Sequence, residues 1–189
     1  MQFEPWIVER VKARQGVLHP YDTLDAATTA FVVVDLQKYY TQPGFQGECA
    51  PARGIFDNVN KLAAAMRAHG GKVVWIKTNA DGADQFWSHH HRHMLTPERS
   101  ARRLLELSAS HEGFEMPDTL DVQESDLIVV KRCYSALAPG ASELDAVLKA
   151  HGIRTVLIGG TVTNVCCEST ARDAMMLDYA TIMVDDALA

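Results

Sequence analysis

Apolar residues fall into short continuous runs and into longer stretches with helical spacing, and the two kinds alternate. Thr29-Ala30-Phe31-Val32-Val33-Val34-Asp35 is nearly unbroken, the pattern of a central parallel strand buried on both faces. Lys72 to Thr78, Asp126 to Lys131, Thr155 to Ile158 and Ala180 to Ala187 are further β-branched runs of strand length. Between the first two, Ile55, Val59, Leu62, Ala63 and Met66 recur at helical period until Gly70-Gly71, a helix with its stop. Thr96 and Pro97 are placed as cap and first residue of a helix reaching about Ser108, and Ser142 caps another that Gly152 ends. Strand and helix alternate throughout. Short connections and right-handed crossovers therefore predict a three-layer α/β/α fold around a doubly wound, mostly parallel sheet.

Residues 1–28 lie outside this alternation and read as an N-terminal arm to a single domain spanning 29–189. Pro5 suits a first helical position, Ile7, Val8 and Val11 share a face, and Gly16 ends the turn. Phe3, Trp6 and Ile7 need a surface to cover, which predicts a homo-oligomer, dimer or tetramer. Residues 79–96 are the least regular part and hold Trp87, His89, His90, His91 and His93. A helix there would put His89 and His93 on one face, as a metal site requires, yet no acidic or thiol partner stands at a specific spacing. The stretch reads instead as a solvated or substrate-facing lid, with no metal and no cofactor.

The chain has 189 residues, 47% hydrophobic and 22% charged, enough for one real core. A net charge of -6 argues against nucleic-acid and anionic-membrane surfaces and favours a small-molecule partner. No run reaches the length of a membrane helix and the N-terminus lacks a signal-peptide pattern, so a cytoplasmic location is expected. Cys49, Cys133, Cys166 and Cys167 have no C-x-x-C spacing and read as reduced thiols.

Open α/β sheets bind ligands at the C-terminal edge of their strands. Two runs end there in a charge, Asp35 and Lys131. From the pattern alone Asp35 reads equally as a turn cap, and Lys131 as a residue snorkelling from the sheet end. The fourth run passes through Gly159-Gly160 into Thr161-Val162-Thr163-Asn164-Val165-Cys166-Cys167-Glu168-Ser169-Thr170. Cys166, Thr170, Ala174 and Leu177 follow helical spacing, which places Cys166 in a first helical turn, where free N–H groups and the helix dipole favour thiolate. Cys167 reads as a small buried hydrophobe.

Asn-Val-Cys-Cys-Glu-Ser-Thr, together with Val-Val-Asp-Leu-Gln at Asp35 and Val-Val-Lys-Arg-Cys-Tyr-Ser-Ala at Lys131, resembles the isochorismatase-like cysteine hydrolases, and most nearly the ureidoacrylate amidohydrolases among them. The resemblance runs from about Thr28 to Asp186. It implies an Asp35, Lys131, Cys166 triad and an oxyanion hole from the N–H groups of Val162 and Cys166, with a cis peptide between Thr161 and Val162. It also implies that Thr161, Thr163 and Asn164 support that turn. Asn79, Trp87, Arg132 and Tyr134 are the expected specificity residues. The activity so implied is cysteine-dependent cleavage of a linear C–N bond in a small ureide, carbamoyl or amide substrate. Alternatives are vinyl-ether hydrolysis, a nicotinamidase-like amidase, and a non-catalytic scaffold. Nicotinamidases carry an Asp-x-His metal motif after the second strand, where this chain has Ala80 and Gly82. Family members also continue past the fifth strand with at least one more helix.

Overall fold

The computed structural model describes residues 3–189. Five strands form one sheet in the order β3-β2-β1-β4-β5: β1 (Thr29–Val34), β2 (Lys72–Thr78), β3 (Leu127–Lys131), β4 (Thr155–Gly160) and β5 (Ala180–Leu188). All four pairings are parallel, so the sheet is wholly parallel. Seven helices accompany it: α1 (Pro5–Gln15), α2 (Lys38–Thr41), α3 (Phe56–Ala68), α4 (Ala83–Phe86), α5 (Pro97–Glu106), α6 (Leu144–Ala150) and α7 (Glu168–Met176). Two of the three caps fall where the pattern puts them, and at α6 Glu143 takes the N-cap position with Ser142 one residue before it. Thr96 accepts from the Arg99 N–H, Ser142 accepts from the Leu144 N–H, and Gly16 closes α1 at a positive φ.

Alternation along β1 divides the core in two. Ala30, Val32 and Val34 point to the layer that holds Leu144 and Leu148 of α6 and Ala171 and Ala174 of α7. Phe31 and Val33 point to the layer that holds Val59, Ala63 and Met66 of α3. The crossovers change face between β1 and β4, the switch point of a doubly wound sheet. The edges differ from the centre: Ile128 and Val130 of β3 are solvent-exposed although their run is as apolar as that of β1. Apolarity in an edge strand buries one face only.

Gly160 shows why the switch point tolerates no side chain. Its φ is +109°, and a Cβ there would lie 2.1 Å from the Val34 carbonyl oxygen. Close approach of β4 to β1 at their C-terminal ends thus depends on that hydrogen. Beyond it, Thr161 N–H donates to Val34 O at 2.8 Å, and the chain returns at Ala189, whose N–H donates to Gly160 O. The carbonyl of Ala189 accepts from the Thr163 N–H at 2.7 Å and from the Thr161 hydroxyl at 3.2 Å. The turn that leads to Cys166 is therefore held from both neighbouring strands.

Candidate active site

Asp35 follows β1 directly and turns into the left-handed region at φ 53°, a conformation that Asp tolerates better than most residues. Its carboxylate is fully buried. Oδ1 accepts from the Thr78 hydroxyl at 2.8 Å, and Oδ2 lies 2.8 Å from Lys131 Nζ. Oδ2 nevertheless accepts no well-directed hydrogen bond, so a lone pair stays open. Lys131 ends β3, is also fully buried, and reaches three further groups: Thr78 Oγ1 at 2.6 Å, Cys133 O at 2.9 Å and Cys166 Sγ at 3.5 Å. Burial opposes its charge, but the acidic groups around it, Asp35 first, outweigh that and raise the lysine above its ordinary range.

Thr78, the last residue of β2, escaped the sequence reading. Its one hydroxyl proton goes to Asp35 and its lone pair to the Lys131 ammonium, so it orders both charges at once. Buried Gln37 fixes it in turn, taking the Thr78 N–H at Oε1 (2.6 Å) and giving Nε2 to the Thr78 carbonyl (3.0 Å). Asking which polar residue ends each central strand would have found Thr78 beside Asp35 and Lys131.

Cys166 lies in a π-helical turn, Thr163–Cys167, that precedes α7. It is not in the first turn of the α-helix as its spacing suggested, although Thr170 Oγ1 still bonds the Cys166 carbonyl at 2.7 Å. The site also differs from the expectation of a resting thiolate. Cys166 is only 4% exposed. Burial pushes its thiol up to about 12, the nearby Lys131 ammonium only partly offsets this, and Asp35 adds to it. The sulfur is thus held toward its thiol form, beside the Lys131 ammonium and the Asp35 carboxylate. Cys167 is fully buried, its Sγ 3.9 Å from Gly159 O.

The peptide bond between Thr161 and Val162 is cis. Thr161 is buried and tied to Ala189, while Thr163 contributes its backbone N–H to the same carbonyl. The exposed Asn164 and the side chain of Thr163 line a groove against α1, α7 and β5, with no bond to Asp35, Lys131 or Cys166.

After β2 the chain forms α4 and the π-helical turn His90–Met94, an order that the irregular composition of 79–96 does not suggest. Trp87 stacks on His90 at 4.0 Å, and Tyr134 meets Trp87 edge-on and bonds His90 Nε2 through its hydroxyl at 3.0 Å. Asn79 sits at the end of β2, its N–H on Lys131 O and its Oδ1 capping the Asp81 N–H. Arg132 is different: it is exposed and covers Phe86, outside the buried cluster. His89 and His93 lie 5.6 Å apart on the outer surface, and among the described residues no group of three His, Cys, Asp or Glu side chains is placed to hold a metal. Arg103 of α5, not singled out from sequence, is buried, with its guanidinium carbon 6.0 Å from the Trp87 ring and the phenols of Tyr39 and Tyr40 close enough to act on its charge.

This architecture is shared. The chain is 33% identical over 178 residues to the ureidoacrylate amidohydrolase RutB of Rhizobium rhizogenes, covering 87% of this chain and 72% of that one. RutB of Klebsiella pneumoniae is 31% identical over 172 residues, 84% of this chain and 72% of its own length. Among solved structures, a cysteine hydrolase from Pseudomonas syringae superposes with a TM-score of 0.77 at 30% identity over 88% of this chain and 74% of that one. An N-carbamoylsarcosine amidase from Thermoplasma acidophilum superposes at 0.67 with 25% identity, over 86% and 84% of the two chains. With the isochorismatase domain model matching residues 29–189, this chain belongs to the isochorismatase family.

Proposed function

We propose that this chain is a cysteine amidohydrolase that cleaves a C–N bond in a small ureide, carbamoyl or amide substrate. One observation carries the reading: a thiol, an ammonium and a carboxylate meet in a buried cluster, with Lys131 Nζ 2.8 Å from Asp35 Oδ2 and 3.5 Å from Cys166 Sγ. A vinyl-ether hydrolysis needs no such thiol, and a scaffold has no use for three buried ionisable groups. The relatives named for amide and ureide hydrolysis support the same choice.

In this reading Cys166, at rest a thiol, gives its proton to the open lone pair on Asp35 Oδ2 as sulfur attacks the carbonyl carbon. Charge moves onto the carbonyl oxygen, which the Val162 and Cys166 N–H groups receive. Asp35 then hands the proton to the leaving nitrogen, the C–N bond breaks, and an acyl-thioenzyme remains. Water, deprotonated by Asp35, attacks that thioester, and the proton returns to sulfur. Lys131 keeps its charge throughout, holding the carboxylate in place and favouring negative sulfur. Asn79, Trp87 and Tyr134 line the approach, and Arg132 acts at the outer rim.

The chain is also read as a cytoplasmic homo-oligomer. Trp6 is exposed on α1, and α1, α7 and β5 enclose an open, largely apolar groove of about 1050 Å³. Light scattering at micromolar concentration should give a mass of at least two chains, and a monomer mass would contradict this.

Cys166→Ala should abolish ammonia release and Cys167→Ala should retain it. Alkylation of Cys166 by iodoacetamide should quicken steadily between about pH 7 and 10, because a raised thiol pKa leaves the reactive thiolate rising with pH. A rate already level at neutral pH would refute the resting thiol. For the positioning role of Thr78, Thr78→Val should lower kcat about tenfold to a hundredfold at little cost in KM, and Thr78→Ser should restore it. Equal losses in both variants would show that the methyl group matters and the hydroxyl does not.

A further inference from the structure

We propose that His90 is a positioning residue for Cys166: its bond to Tyr134 fixes the segment Cys133–Ala136, and that segment holds both the nucleophile and the ammonium beside it. The inference rests on the amidohydrolase reading and adds to it a residue that acts through its neighbours.

After β3 the chain runs through an irregular stretch that clasps Cys166 at two points. At one end the Cys133 carbonyl accepts from Lys131 Nζ at 2.9 Å, and the same ammonium lies 3.5 Å from Cys166 Sγ. At the other the Ala136 N–H donates to Thr170 Oγ1 at 3.1 Å, while that hydroxyl donates to the Cys166 carbonyl at 2.7 Å. Ser135 and Ala136 are buried, and the Ala136 carbonyl accepts from the Ser142 hydroxyl at 2.6 Å. A shift of this segment therefore moves the ammonium relative to the sulfur. Because the Lys131 charge favours negative sulfur, its place sets how readily the thiol gives up its proton.

Tyr134, in the middle of the segment, faces outward and is 38% exposed. The stretch after β2 ties it down. Its ring meets Trp87 edge-on at 4.8 Å, Trp87 stacks on His90 at 4.0 Å with an interplanar angle of 11°, and the phenol oxygen lies 3.0 Å from His90 Nε2. A ring so exposed is held weakly by burial, and the directed bond to His90 is what fixes its angle.

His90 serves this bond as a neutral donor. Burial first, then the Arg103 charge and His91, hold it down to about 4, so the ring carries no charge near pH 7. Its other nitrogen, Nδ1, is buried without a hydrogen-bond partner. A bare buried N–H is rarer than a bare acceptor, which puts the one proton on Nε2 and makes His90 the donor to the Tyr134 oxygen.

Alkylation of Cys166 by iodoacetamide tests this without a substrate. His90→Phe keeps a flat ring against Trp87 and removes the bond, whereas His90→Gln returns an N–H at about the reach of Nε2. In His90→Phe the rate at pH 8 should fall about threefold to tenfold and its pH profile should move upward, and His90→Gln should recover most of the loss. Tyr134→Phe, which loses one exposed oxygen and tests the bond if His90→Phe does not fold, should slow the reaction equally, and the double variant should slow it no further. On 3-ureidopropionate, kcat should fall by the same factor with KM little changed. Alkylation at the wild-type rate in His90→Phe, a loss that Gln does not recover, or additive losses in the double variant would overturn the proposal. So would a rise in KM with kcat and alkylation untouched, which makes the aromatic cluster a binding wall only. The two readings part cleanly. Slowed alkylation that Gln recovers, in a protein that releases ammonia from no amide or ureide, upholds His90 and refutes the amidohydrolase, whereas ammonia release with alkylation indifferent to His90 refutes the positioning role alone.

Discussion

A buried ion pair, Lys131 to Asp35, is the constraint on which the rest of the site depends. Burying two charges costs several kcal/mol per ion, about as much as their attraction returns, so such a pair is poor evidence for stability. It persists here because both ends are finished by hydrogen bonds. Thr78 donates to one and accepts from the other, Gln37 anchors Thr78 by both backbone groups, and Cys133 O takes another ammonium proton. The unfinished lone pair on Asp35 Oδ2 is the exception, and it is the one a proton from Cys166 can use.

The fold makes this meeting possible. Asp35, Thr78 and Lys131 end three neighbouring parallel strands, and the turn after β4 brings Cys166 to the same edge across the switch point. The hydrogen at Gly160 Cα permits that approach, and the return of the chain at Ala189 holds the turn from the other side.

Most of the fold was legible because the apolar runs are short, β-branched and separated by helices with ordinary caps. Asp35 and Lys131 were marked by the resemblance of their motifs, since from the pattern alone the one reads as well as a turn cap and the other as a residue snorkelling from the sheet end. Thr78 was not, since a β-branched residue at a strand end looks like more strand and its hydroxyl matters only when β1 and β3 flank it. Arg103 was hidden for another reason. The sequence of α5, Pro-Glu-Arg-Ser-Ala-Arg-Arg-Leu-Leu-Glu, reads as a solvated helix, and only the packing of Trp87, Tyr39 and Tyr40 around one arginine buries it. The state of Cys166 was misread because a helix start was weighed without the burial that opposes it. Asn164 and Arg132 lie close to the motif in sequence, but a π-turn and a strand-end loop carry their side chains outward.

The central claim is that sulfur of Cys166 becomes covalently bonded to the substrate carbon during turnover. Rapid acid quenching of the protein with 3-ureidopropionate, followed by digestion and mass spectrometry, tests it directly. The account predicts a substrate-derived acyl or carbamoyl adduct on the peptide bearing Cys166, forming and decaying as fast as product appears. Turnover with no adduct there, or an adduct on Cys167 instead, would contradict it.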